Sequence, residues 1–272
     1  MATRIVNSTE INISYGHARK RLIVLDYDGT LISPKHYRAA PDPSVLELLG
    51  QLAKDNRNCV VVVSGREKSK LDNDLSHLPI TIVAEYGAAY RDPERDWTQT
   101  SDYSASWIGK TLPALKALAF HYWGSDIERK EFSLVWRYDS VRDGIPDSDK
   151  RQIMSALRSL PVANEFKLVD GNLFLELRTP GINKGAFISR WVGSRHFDFI
   201  MDMGDGHSDE ELFKLFGKDS FTIRVDKSEH SSANYHLGGQ EDVVPFLTTI
   251  LTSKERVNGF MTSDETLLNN NG

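Results

Sequence analysis

One cysteine, Cys59, stands in 272 residues, so no disulfide within the chain supports the fold, and a reducing compartment is expected. It lies inside the apolar run NCVVVVS and reads as a small core side chain. Long hydrophobic stretches are missing too. No apolar run approaches the roughly 18–20 residues that span a bilayer, and the N-terminal MATRIVNSTEINIS has no apolar centre of the kind that directs export. A basic excess is also absent. The formal charge of −5 offers no field for nucleic acid or an anionic membrane, which leaves small molecules as the expected partners and the cytoplasm as the expected location. What is present is enough apolar material, 40% of residues, to bury a core as one large domain or two unequal ones.

The order of patterns indicates an α/β protein. RLIVLDYD (21–28), NRNCVVVVSGR (56–66) and ITIVAEYG (80–87) are apolar runs of strand length. Between them PSVLELLGQLAKD (43–55) sets Val45, Leu48, Leu49 and Leu52 at helical spacing, and EKSKLDNDLSHL is a second helix. Strands apolar on both faces and alternating with helices predict a doubly wound parallel sheet. After residue 90 the rhythm changes. SASWIGKTLPALKALAFHYWG (104–124) and SDKRQIMSALRSL (148–160) read as helices, IERKEFSLVWRYD (127–139) as a strand pair or one long strand, and FKLVDGNLFLELR (166–178) as a hairpin turning at Asp170 and Gly171. This is the pattern of a small α+β insert. The αβ rhythm resumes with NKGAFISRWVG (183–193), FDFIMDMGDG (197–206), DEELFKLFG (209–217), FTIRV (221–225) and EDVVPFLTTIL (241–251). The expected division is therefore a core over 20–95 and 182–252, an inserted cap over 96–181, and a polar tail over 253–272 that frays.

In an open parallel sheet, ligands bind outside the carboxyl ends of the strands. Asp26 and Asp28, Ser64, and Asp205 with Asp209 all fall at such ends. Four acids in one crevice are costly without a cation, and carboxylates with no imidazole or thiolate companion suit a hard ion such as Mg²⁺. A carboxylate in line with a phosphoryl group is a nucleophile, the part assigned to Asp26. Asp28, two residues on, is placed to protonate the leaving alcohol and then to take a proton from water, with its backbone carbonyl available to the metal. Gly29 permits a sharp turn, and Thr30 is expected to cap the following segment. Ser64 is suited to a phosphoryl oxygen and Lys184 to the charge of the transferring group. Arg66 pairs with an acid at the crevice rim or meets the substrate, its role left open. His207 reads as an exposed loop histidine, the aromatic cluster Trp107, Phe120, Tyr122 and Trp123 as cap core, and HARKR (17–21) as a solvated approach to the first strand.

These residues resemble the haloacid dehalogenase superfamily, whose first motif is DxDGT and whose later motifs match Ser64, Lys184 and the acidic GDGHSD (204–209) in order. LDYDGTL, VVVSGR, AEYGA, IERKEFSLVWRY, LELRTPGINKG, GDGHSDEELF and VDKSEHSSANYHL extend the likeness, over about residues 20–250, to the trehalose-6-phosphate phosphatase family. The resemblance implies a Rossmann-like core with an inserted cap, and Mg²⁺-dependent removal of phosphate from trehalose 6-phosphate through an aspartyl-phosphate. It places the nucleophile, acid/base, phosphate-binding serine and lysine at Asp26, Asp28, Ser64 and Lys184, the metal residues at Asp26, Asp28, Asp205 and Asp209, and sugar contacts at Glu128, Lys130 and Glu176, with Arg66 counted among the substrate-binding residues. Without the family, Glu128 and Lys130 read as a surface ion pair on one strand face. Two departures stand out. The usual GDD is Gly204, Asp205, Gly206, and a His and Arg of the cap are Arg137 and Asp139. A phosphatase of another sugar phosphate such as sucrose phosphate, a phosphomutase, and a phosphatase-like domain that regulates a synthase are the alternatives. The resemblance also leaves room for association with a trehalose-phosphate synthase.

Overall fold

The computed structural model describes residues 3–33, 39–228 and 230–252; the tail expected to fray lies outside them. Two compact units meet in sequence at Thr98/Gln99 and at Ile182/Asn183.

The first unit opens with β1 (Arg4–Ile5) and α1 (Ser8–His17), before any element the periodicity suggests. Asn7 caps α1 by accepting from the Thr9 and Glu10 amides, and Ile11 and Tyr15 are buried while Ile13 is exposed. Then follow β2 (Arg21–Asp26), α2 (Pro43–Lys54), β3 (Asn58–Val63), α3 (Lys68–Leu75), β4 (Thr81–Ala84), β5 (Ala89–Arg91) and β6 (Thr98–Gln99). The helix α2 starts where Asp42 accepts from the Ser44 amide ahead of Pro43, and it buries Val45, Leu48, Leu49 and Leu52, its one apolar stripe. Thr30 caps nothing: its hydroxyl is buried with no hydrogen-bond partner among the described residues.

The second unit contains α4 (Trp107–His121), β7 (Asp126–Arg129), β8 (Ser133–Arg137), α5 (Asp147–Arg158), β9 (Lys167–Gly171) and β10 (Phe174–Arg178). The chain then returns to the first unit with α6 (Lys184–Val192), β11 (Phe199–Gly204), α7 (Glu210–Phe216), β12 (Phe221–Arg224), β13 (Tyr235–His236) and α8 over 243–252. No helix among the described residues is long and apolar enough to cross a membrane.

In the first unit nine strands run in the order β1-β13-β12-β11-β2-β3-β4-β5-β6. From β1 to β4 all neighbours are parallel, and β5 turns back antiparallel on β4. The period of two explains why the central strands are apolar throughout. Ile23, Leu25, Val60, Val62, Ile82, Met201 and Met203 join one core layer, and Leu22, Val24, Val61, Val63 and Val83 join another with Phe187, Ile188 and Leu212. A basic residue opens the first central strand from inside the fold. Arg21, read as solvated, is fully buried: Nη1 donates to Asp55 at 2.9 Å and to Asn58 at 3.2 Å, and the guanidinium lies 3.8 Å from the Tyr15 ring centroid. Its position in the first pair of the β2–β3 register draws it inside, and Asp55 offsets the charge.

The sheet of the second unit is antiparallel, order β7-β8-β10-β9. Leu134, Trp136, Leu175 and Leu177 point to the core that α4 and α5 close with Trp107, Leu115, Ile153 and Leu157. One open sequence reading is decided here and two expectations change. Residues 127–139 form two strands, the pair already among the alternatives, with the Lys130 amide donating to the Ser133 carbonyl at 2.9 Å across the turn. The hairpin turns at Asn172 and Leu173, two residues late, because Gly171 pairs with Phe174 and gives its side-chain space to the Phe174 ring. Phe120 and Trp123 are exposed rather than core, since α4 buries the stripe of Trp107, Thr111 and Leu115 and Phe120 falls on the opposite side.

Candidate active site

The order in which strands are added reverses at β2, with β3 and β4 laid down on one side and β11 and β12 on the other. Such a switch point leaves a crevice at the carboxyl ends. Asp26 ends β2 there, and the register Asp26↔Val63 puts Ser64 beside it, one residue past β3. Asp205 follows directly after β11.

Two glycines let the acids converge. Gly29, at φ +88°, adopts a left-handed conformation costly for other residues, and any Cβ there would overlap the Asp205 carboxylate. Gly204 gives way in the same manner to the carboxylate of Asp209. As a result one carboxylate oxygen from each of Asp26, Asp205 and Asp209 lies within 4.8 Å of the others.

Lys184 supplies the local cation. Asn183 caps α6 by accepting from the Ala186 amide, which fixes Lys184 as the first helical residue. Its Nζ, 1% exposed, donates to Asp26 Oδ1 at 2.5 Å and to Asp209 Oδ1 at 2.7 Å. Burial alone would lower the lysine pKa, but Asp209 and Asp26 together hold it above its ordinary value. The Gly206 amide donates to the other Asp209 oxygen at 2.9 Å, so the position where the family usually has a second acid serves Asp209 through its backbone.

One lysine does not balance the acids. Burial first, and then Asp209, push the Asp26 carboxyl well above the usual carboxylate range against the pull of Lys184. Burial and Asp209 raise Asp205 in the same direction. Asp202, inside β11, is fully buried, and neither oxygen has a hydrogen-bond partner of good geometry among the described residues. Burial and the Asp209 charge push it well above the carboxylate range too, with smaller opposing pulls from Lys184 and the Met203 amide. Three hard oxygen donors, close together and electrostatically under-compensated, fit a small divalent cation such as Mg²⁺. Asp26, Asp205 and Asp209 are the residues that would hold it. Asp28 was counted with them from the sequence through its backbone carbonyl, and its carboxylate stands outside this group.

Asp28 is instead gripped by Arg66. Arg66 Nη2 donates to Asp28 Oδ1 at 2.7 Å, and Nε lies 3.1 Å from both Asp28 oxygens. Arg66 thus has an acid partner at this site, and Nη1 reaches a second, Asp74, at 3.2 Å. Ser64 is fully buried, its hydroxyl accepting from the Arg66 amide at 3.0 Å. His207 is exposed.

In the second unit Glu128 and Glu176 both pair with Val135 across β8, which puts them in one row on the polar face of that sheet. Glu128 accepts from Arg137 Nε at 3.2 Å, with Lys130 Nζ 4.0 Å away. Glu176 is 1% exposed and makes no hydrogen bond of good geometry among the described residues, although Arg178 lies 3.4 Å from it. The residues that motif reading missed are Asp202 and Asp74. Asp202 was hidden in an apolar strand, where an acid out of pattern is itself a signal. Asp74 sits in a polar helix, KSKLDNDL, that offers none.

Comparison with known proteins gives these positions a context. The family model described as trehalose-phosphatase matches residues 24–241. A Dictyostelium discoideum alpha,alpha-trehalose-phosphate synthase [UDP-forming] B is 32% identical over 91% of this chain, which spans about a third (32%) of that relative. The C-terminal domain of C. albicans trehalose-6-phosphate phosphatase superposes with a TM-score of 0.82 at 24% identity, covering 92% of this chain and 99% of that one. An Aspergillus fumigatus trehalose-6-phosphate phosphatase superposes at 0.66 with 30% identity and the same coverage. The fold is the haloacid dehalogenase type, and with the family model spanning most of its length the chain belongs to the trehalose-phosphatase family.

Proposed function

We propose that this chain is a Mg²⁺-dependent phosphatase that hydrolyses trehalose 6-phosphate to trehalose and phosphate by way of a phosphoryl group carried on Asp26. The observation that carries the reading is the convergence of Asp26, Asp205 and Asp209, two of them buried against Lys184, an arrangement with no structural need for so much like charge. A bound divalent cation would neutralise the non-bridging phosphoryl oxygens as charge develops.

The chain's own residues do the remainder. Asp26 forms a bond to phosphorus while the bond from phosphorus to the sugar oxygen breaks, and the departing oxygen takes a proton from Asp28. Water then attacks the phosphoryl group and gives its proton to Asp28, which restores Asp26. Lys184, held between Asp26 and Asp209, keeps the nucleophile oriented and offsets the incoming charge. Ser64 contributes its hydroxyl to a phosphoryl oxygen. Glu128, Lys130 and Glu176 recognise the sugar, where the unsatisfied Glu176 oxygens are suited to hydroxyl donors. Association with a trehalose-phosphate synthase belongs to the same proposal.

Phosphate release from trehalose 6-phosphate, sucrose 6-phosphate, glucose 6-phosphate and p-nitrophenyl phosphate, with Mg²⁺ and with EDTA, tests it. The expected result is Mg²⁺-dependent release with strong preference for trehalose 6-phosphate. Preference for another ester would keep the chemistry and discard the sugar. Gly206 favours a second reading, a regulatory domain without turnover, and release from none of the four esters would select it.

A further inference from the structure

We propose that Asp74 and Tyr27 form a positioning arm that acts through Arg66 on Asp28, and that this arm determines how well the site expels leaving groups that need a proton. The inference rests on the phosphatase reading above and adds residues to it.

The arm is continuous in the structure. Tyr27, the middle residue of the DYD motif, is fully buried, and its hydroxyl donates to Asp74 Oδ2 at 2.7 Å. The same Asp74 oxygen accepts from Arg66 Nη1 at 3.2 Å, and the guanidinium carbon lies 4.8 Å from the Tyr27 ring centroid. Arg66 Nη1 also donates to the Ala39 carbonyl at 3.2 Å. The far side of the same guanidinium holds Asp28. The motif's central residue is therefore more than a spacer between two acids, because it reaches α3 and ties it back to its own neighbour.

Exposure shows why the tie matters. The Asp28 side chain is 34% exposed, against 9% for Arg66 and 13% for Asp74. A carboxylate that open keeps its rotational freedom unless a rigid partner removes it. Arginine provides a planar fork, but on a long flexible stem that orders its own partner only when its other edge is pinned. Asp74 pins that edge, and the Tyr27 hydroxyl fixes Asp74. The grip is also asymmetric: Asp28 Oδ1 receives contacts at 2.7 and 3.1 Å, and Oδ2 only one at 3.1 Å. Oδ2 is accordingly the oxygen left to exchange a proton with the departing group.

The step that exposes this role is the first. As the Asp26–phosphorus bond forms and the phosphorus–oxygen ester bond breaks, the electron pair goes to the leaving oxygen. An alkoxide needs the Asp28 proton at that moment, whereas p-nitrophenolate is a weak base and departs without it. Benzyl phosphate and p-nitrophenyl phosphate are similar in size and differ in this property. Their kcat/KM values report events up to departure of the leaving group, so the ratio of the two isolates proton delivery.

The experiment compares the wild-type protein with Asp74→Ala, Asp74→Asn and Tyr27→Phe in Mg²⁺, with Asp28→Asn as the reference for lost proton delivery. Asp74→Ala is expected to lose about tenfold or more in kcat/KM on benzyl phosphate and less than about twofold on p-nitrophenyl phosphate, a part of the roughly 10²–10⁴-fold that a positioned acid contributes. Asp74→Asn should recover part of the loss, and Tyr27→Phe should show the same bias at smaller size. Equal losses on both esters, or no loss on either, would overturn the arm while leaving the phosphatase reading intact. If Asp74→Ala fails to fold, Tyr27→Phe decides by the same criterion, since it removes one hydroxyl only. A wild-type protein inactive on both esters and on trehalose 6-phosphate overturns the functional reading and the arm together; one active on trehalose 6-phosphate alone is tested on that ester, where a loss under about twofold for Asp74→Ala overturns the arm.

Discussion

In the nine-stranded sheet acids and hydroxyls appear where strands stop, at Asp26, Ser64 and Asp205, whereas in the four-stranded sheet they run along one face, through Glu128, Arg137, Glu176 and Arg178. The difference has a physical origin. Helices cover both faces of the first sheet, so the polar groups that open on its crevice sit at the strand ends, and they depend on a few atoms such as the space beside Gly29 and Gly204. The second sheet buries one face only, so alternate positions on every strand are open to polar side chains. Groups placed at strand ends are hard to change without losing the convergence of the acids, while groups spread over a face can change one residue at a time. The departures from the family pattern at Arg137 and Asp139 fall in the second region.

Four experiments break or sharpen this contrast. The largest effect is expected from Asp26→Asn, which should reduce Mg²⁺-dependent phosphate release by about 10³-fold or more, as losing a nucleophile does elsewhere. Activity near wild type would move the chemistry away from the end of β2. Next, Lys184→Met leaves the Asp26 and Asp209 carboxylates without their buried cation and should cost roughly 3–5 kcal/mol of stability in chemical denaturation with EDTA. A cost under about 1 kcal/mol would mean that the acids do not depend on the lysine. On the polar face the expected effect is selective. Glu128→Ala and Glu176→Gln should slow trehalose 6-phosphate hydrolysis by about 10–100-fold, the scale of lost polar contacts, and leave p-nitrophenyl phosphate within about threefold. Equal losses on both substrates would abolish the division of labour.

The smallest effect concerns Asp202 and appears only as a pH trend. Its folded-state pKa is raised by burial, so the folded protein keeps a proton that the unfolded chain releases above about pH 4. The stability this contributes is full below that value and declines as pH rises toward the folded-state pKa. Asp202→Asn removes the titration, so the variant should gain on wild type by about 1.4 kcal/mol per pH unit across that window. Parallel stability curves in EDTA would show that Asp202 is ionised in the folded protein.

The alternation of apolar strands and helices was legible because β2, β3, β4 and β11 are buried on both faces, which leaves an unmistakable run. The acids at strand ends were legible for the same reason, since a charge ending an apolar run contrasts with everything before it. The N-terminal β1 and α1 were not, because Ile11 and Tyr15 alone anchor α1 and β1 is two residues long. Arg21 escaped for want of any local mark of its partners, Asp55 and Asn58, which lie more than thirty residues on. The Asn172–Leu173 turn was misplaced because Asp-Gly is a strong turn signal, and here ring packing by Phe174 overrides it. Arg66 could be suspected of an acid partner, but choosing Asp28 with Asp74 required the packing of α3 against the strand ends.

The position of Lys184 at the very start of α6 has a further consequence. The amino end of a helix carries partial positive charge, so a lysine is among the poorest choices there for the helix itself. A redesign that scored α6 only for its own stability would write an acid at that position and report an improvement. It would also delete the counter-charge that Asp26 and Asp209 share, so in this protein a local propensity violation marks where stabilisation must not be sought.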